Sequence, residues 1–97
     1  MTIVYVKQIE TEHFSWDVFC AGYGHGVLCR TLAEAKAQAL SMIPGDGQIV
    51  LWLRSHDPCY VPPADLDDVF EGLEPVDFEY AEDAHLAFHV YAPRAPQ

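Results

Sequence analysis

Apolar and polar positions alternate from the first residues of the chain. Over residues 2–9, Ile3, Tyr5 and Lys7 alternate with Val4, Val6 and Gln8. β-Branched and aromatic side chains dominate there, which predicts a strand. Residues 14–21 predict a second strand. Phe14, Trp16, Val18 and Cys20 point to one face, and Ser15, Asp17, Phe19 and Ala21 to the other. Gly22-Tyr23-Gly24-His25-Gly26 then places three glycines in five positions, a turn signal. Residues 27–30 return as a third strand and close a hairpin. Thr31 followed by Glu34 forms a capping box, which satisfies free amides at a helix start. The strong helix formers of residues 32–40 follow, with Leu32, Ala35, Ala39, Met42 and Ile43 as the apolar stripe. Pro44-Gly45-Asp46-Gly47 stops the helix.

Residues 48–53 are nearly all apolar, which predicts a central strand covered on both faces, with Trp52 in the core. Pro58, Pro62 and Pro63 make residues 55–64 an irregular crossing. Asp65 caps a short helix whose buried stripe is Leu66, Val69, Phe70 and Leu73. Gly72 and Pro75 mark its end. Alternation resumes with Val76, Phe78 and Tyr80, then with Leu86, Phe88 and Val90. This predicts a terminal β-hairpin, for which a helix through 78–88 competes. Placing both apolar sets on one face requires an odd-length loop or a bulge. A three-residue loop at Glu82-Asp83-Ala84 meets that need and sets Asp77 opposite His89. The expected fold is α+β, an antiparallel or mixed sheet of about five to six strands with two helices, in the order β-β-β-α-β-α-β-β.

The 97 residues make one domain, 1–97, with no internal repeat. An apolar fraction of 51% and a charged fraction of 21% belong to a folded chain, not a disordered acidic tail. No apolar run approaches the ~20 residues that cross a bilayer, and the first residues lack the pattern of a signal peptide. A cytoplasmic protein is expected. Its three cysteines, Cys20, Cys29 and Cys59, are expected as reduced thiols.

Charge changes this picture most. The net value is −10, and it is unevenly placed. Residues 1–54 hold five acids and four bases, whereas residues 55–97 hold ten acids and only Arg94. The acidic C-terminal half spans 55–92, and nine of its acids fall between Asp65 and Asp83 without a Lys or Arg. Direct contact with nucleic acid or an anionic membrane is disfavoured, because both need basic side chains. A basic protein is the expected partner. Asp67, Glu71 and Glu74 are spaced i, i+4 and i+7, which places them on one helical ridge beside Asp68. Asp77, Glu79, Glu82 and Asp83 extend the patch, and these eight are the candidate contacts. Tyr23 and His25 at the glycine-rich turn, with Trp16, form a secondary candidate set.

Other chemistry is weaker. His25, Cys29, His56 and Cys59 could make a two-Cys, two-His zinc site, although neither pair has the C-x-x-C knuckle. No cofactor or metal is expected. The glycine-rich turn lacks the Lys-Ser/Thr of a phosphate loop. No Cys–His arrangement carries local support, so catalysis is not expected. Asp77, Glu79, His85 and His89 make a carboxylate–histidine set if they share the exposed face of the hairpin. Facing acids would then raise the histidine pKa values.

Two resemblances bear on these residues. Residues 16–52 resemble small bacterial strand–strand–helix–strand domains, through Trp16-Asp17-Val18, the glycine-rich turn, Thr31-Leu32-Ala33-Glu34-Ala35 and Ile49-Val50-Leu51. That likeness implies a fold only. In size, charge and lack of a catalytic motif, the chain is similar to small acidic inhibitors of phages and mobile elements, the anti-CRISPR and DNA-mimic proteins. The likeness implies a non-catalytic inhibitor acting in a host cytoplasm, bound to a basic, normally nucleic-acid-binding complex. No motif transfers a site. Immunity proteins against basic toxins share the profile. A self-associating binding module, such as a homodimer, and a small zinc protein are the alternatives.

Overall fold

The computed structural model describes residues 2–22, 25–43, 47–54 and 62–93. Six strands form one mixed sheet with two helices: β1 (Ile3–Gln8), β2 (Trp16–Cys20), β3 (Val27–Cys29), α1 (Leu32–Met42), β4 (Gln48–Arg54), α2 (Leu66–Val69), β5 (Leu73–Ala81) and β6 (Leu86–Pro93). The α+β class and the order of elements agree with the sequence pattern. Across the sheet the strands run β3-β2-β1-β4-β6-β5. β1 and β4 are parallel at its centre, and every other neighbouring pair is antiparallel. The parallel pair follows from the chain path, because β2, β3 and α1 intervene between β1 and β4.

Alternation sends Val4 and Val6 of β1, Val18 of β2, and Ile49 and Leu51 of β4 to one face, where each is fully buried. α1 covers this face with Leu32, Ala35 and Ala39. Its alanines allow close approach to the sheet. α2 closes the far end: Phe70, just past its last turn, stacks on Tyr91 of β6 with ring centroids 4.5 Å apart.

The start of α1 is capped as its sequence requires. The Glu34 amide donates to Thr31 Oγ1 at 3.1 Å, and the Glu34 carboxylate accepts from the Arg30 amide. Ile43, the residue before Pro44, is already extended at φ −101° and ψ 138°. Gly47 is buried where the chain turns into β4. A Cβ there would lie 2.9 Å from Ile43 Cβ and 3.0 Å from the Thr2 carbonyl oxygen. α2 is shorter than its apolar spacing suggests. The helix ends at Val69, and Gly72 turns the chain at φ +93° into β5. Lys36 Nζ donates to the Glu71 carbonyl oxygen at 3.1 Å, which ties this turn to α1.

The terminal hairpin forms, with a different register from the one expected. Ala81 pairs with Leu86 around a 3₁₀ turn at Glu82–Ala84, and His85 takes φ 55°. The connection is therefore four residues long, not three. Asp77 lies opposite Val90, and it is Phe78 that faces His89. A bulge at Val76, between Pro75 and Asp77, shifts the alternation by one.

Candidate functional site

The eight acidic candidates do not form one helical ridge. Asp67 and Asp68 lie in α2 and are exposed, whereas Glu71 lies in the turn beyond it and Glu74 already belongs to β5. The i, i+4, i+7 spacing is thus not expressed as helix, because four residues of α2 are too few to carry it. Asp65 occupies the N-cap position but makes no side-chain capping bond. Glu82 and Asp83 fall in the 3₁₀ turn at the far end of β5.

β5 is the edge strand, and its bulge decides where its acids point. Pro75 pairs with Tyr91 on the helix-covered face, so strict alternation would bring Asp77 to that face as well. The extra residue, Val76, re-aims the strand. Glu74, Asp77 and Glu79 consequently share the opposite face, across from Ala92, Val90 and Phe88 respectively. Phe78 and Tyr80 turn toward the helix side, across from His89 and Ala87.

On that opposite face the register sets up two cross-strand rows. One runs Leu28, Asp17, Lys7, Trp52, Phe88, Glu79 from β3 to β5. The next runs Phe19, Tyr5, Val50, Val90, Asp77. Rings touch within and between them. Tyr5 stacks on Phe19 at 5.5 Å, meets Trp52 edge-on at 6.3 Å, and Trp52 packs on Phe88 at 5.6 Å. Lys7 Nζ lies 4.6 Å from the Trp52 ring centre. Among the described residues no helix covers this face, and its four rings are only half-buried. β4 is therefore central but covered by helices on one side, which corrects the placement of Trp52 in the core.

The secondary candidates separate. Trp16 is buried at 7% exposure against the helices and offers nothing to a partner. His25 is exposed, and Tyr23 lies outside the described residues. Of the zinc candidates, Cys29 is buried and His56 and Cys59 lie outside the described residues. Burial, then Glu34 and Asp17, pushes the Cys29 thiol up. Among the described residues no three His, Cys, Asp or Glu side chains gather to hold a metal ion.

The carboxylate–histidine set is not assembled either. Asp77 and Glu79 face away from the helices, whereas His89 lies on the helix side. Burial lowers the His89 pKa, with Asp67 opposing it in part, the reverse of the expected rise. Burial and then Asp67 raise the Tyr91 phenol.

The aromatic rows were the part that sequence reasoning missed. Tyr5, Phe19 and Trp52 each sit one position away from a fully buried residue, and that alternation was the available signal. No protein-family model, curated protein or solved structure matches this chain. No helix among the described residues is long and apolar enough to cross a membrane.

Proposed function

We propose that this protein is a non-catalytic inhibitor or binding protein whose acidic edge occupies the basic, nucleic-acid-binding surface of a partner protein. The observation that carries this reading is the line of carboxylates from α2 through β5 to the hairpin turn. Nine acids and no base lie between Asp65 and Asp83. All of them whose side chains are described are exposed. Among the described residues none of these acids enters a salt bridge. Lys36 donates to the Glu71 backbone carbonyl and not to a carboxylate. An extended strand of nine residues is about 30 Å long at ~3.3 Å per residue. β5 itself carries three of the nine, Glu74, Asp77 and Glu79, and the other six precede or follow it. At a Debye length of about 8 Å, neighbouring acids act together on an approaching surface. Anti-CRISPR-like and DNA-mimic inhibitors work on this chemistry.

The test is capture by the tagged protein from a bacterial lysate at low and high salt, beside the Asp67→Asn/Asp68→Asn/Glu71→Gln variant. The expected result is a nucleic-acid-binding protein held only by the wild type and displaced by salt or by added DNA. Equal capture by both forms, unaffected by DNA, overturns the reading.

A further inference from the structure

The acids on the helix-free face of the sheet do not stand alone. Apart from Lys7, which lies over the Trp52 ring, and Asp17, its two rows are aromatic and aliphatic, and each ends in a carboxylate on β5, Glu79 in one and Asp77 in the other, with Glu74 continuing the column. The result is an apolar platform with an acidic rail along one side. From Phe19 to Phe88 the platform crosses four adjacent strands, about 14 Å at ~4.8 Å per step. A helix with its side chains is ~10–12 Å across, so the platform is wide enough to seat one.

We propose that the helix-free face docks an amphipathic basic segment of a protein partner. Apolar side chains of that segment lie over Tyr5, Trp52 and Phe88, and its Lys or Arg residues lie along Glu74, Asp77 and Glu79. The proposal rests on the acidic-surface reading above and adds the apolar half of the contact. Charge complementarity selects this occupant. A nucleic acid stacked on the rings would bring phosphates against the rail. A second copy of the chain would bring its own net charge of −10 and no basic rail to match. The Val76 bulge strengthens the case, because it brings Asp77 and Glu79 to the platform side when simple alternation would not.

Trp52 supplies the readout, since Trp16 is buried on the other face. The probes are a synthetic helical peptide of Leu and Lys and an oligolysine of equal charge. The Leu–Lys peptide is expected to bind at least ten-fold more tightly, to blue-shift Trp52 emission and to shield it from acrylamide. A Trp52→Phe variant should lose the spectral change. The Glu74→Gln/Asp77→Asn/Glu79→Gln variant changes only exposed side chains and should bind the Leu–Lys peptide at least ten-fold more weakly. Equal, salt-sensitive binding of both peptides without a Trp52 change would overturn this proposal and leave the acidic-surface reading standing. Binding of neither peptide would overturn both. Sedimentation showing a dimer that buries Trp52 in the absence of peptide would give the face to a second copy and overturn the proposal as well.

Discussion

Lys7 turns its ammonium to the face of Trp52, 4.6 Å from the ring centre, although Asp17 lies directly across on its other side. Among the described residues no salt bridge joins Lys7 to Asp17, and Asp17 Oδ1 is buried without a hydrogen-bond partner. The aliphatic stem of a lysine covers apolar surface while its charge reaches the ring, so one side chain shields Trp52 in two ways. Replacing Lys7 by Gln should lower stability by about 0.5–1 kcal/mol and red-shift the Trp52 emission. Asp17→Asn should be neutral or stabilising, because it removes an unpaired, half-buried charge. Urea unfolding followed by fluorescence checks both, and a loss on Asp17→Asn equal to that on Lys7→Gln would show that the carboxylate is the true partner.

The two helix starts read alike in the sequence but differ in structure. Thr31 accepts the Glu34 amide, whereas Asp65 makes no side-chain cap. Thr31→Ala should therefore cost about 1 kcal/mol. Asp65→Ala should stay within about 0.5 kcal/mol, and it also removes one charge from a crowded acidic run. Chemical denaturation of the two variants side by side distinguishes them. Equal losses would mean that Asp65 caps α2 in solution.

These cases show where sequence reasoning reached and where it stopped. Local signals were sufficient for α1, because the capping box, the alanine stripe and Pro44 each act within a few residues. They were sufficient for β1 to β4, because alternation is a local property, but left a helix competing with the hairpin of β5 and β6. Trp52 was misplaced because an apolar run reports burial but not which layer supplies it. The register, with Lys7 beside Trp52 and Phe88 on its other side, puts Trp52 on the face that no helix covers among the described residues. The acids were legible as charge but not as geometry. Glu71 and Glu74 left the helix because Gly72 turns the chain there. One bulged residue, Val76, then decided the face of Asp77 and Glu79. A bulge costs one residue in the pairing count and leaves almost no mark in composition.

Cysteine reactivity separates the thiols. Cys29 is buried, and its pKa is raised by burial, Glu34 and Asp17, whereas Cys20 is half-buried at the end of β2. The thiolate is the reacting form, so Cys29 should be the slower of the two toward iodoacetamide in the native protein. In urea the two rates should converge. Peptide mass spectrometry of time-resolved labelling reads this directly, and faster native labelling of Cys29 would contradict its burial.

His89 makes stability depend on pH in a defined direction. Its side chain lies on the helix side of β6, with its ring 4.7 Å from Phe78 of β5 and 6.4 Å from Tyr91 on its own strand. Burial there lowers its pKa below the ordinary 6.5, and Asp67 from α2 opposes the shift. The unfolded chain therefore binds the proton more readily than the folded one. The stabilising contribution is present above about pH 6.5 and is lost as pH falls toward the folded value. In the His89→Gln variant that slope should flatten, since the titrating ring is gone. Asp67→Asn removes the opposing charge, so the folded pKa should fall further and the loss should extend to lower pH. Urea midpoints at closely spaced pH values between 4 and 8 check all three forms. Parallel curves for wild type and His89→Gln would show that His89 titrates alike in both states and that its burial carries no linkage.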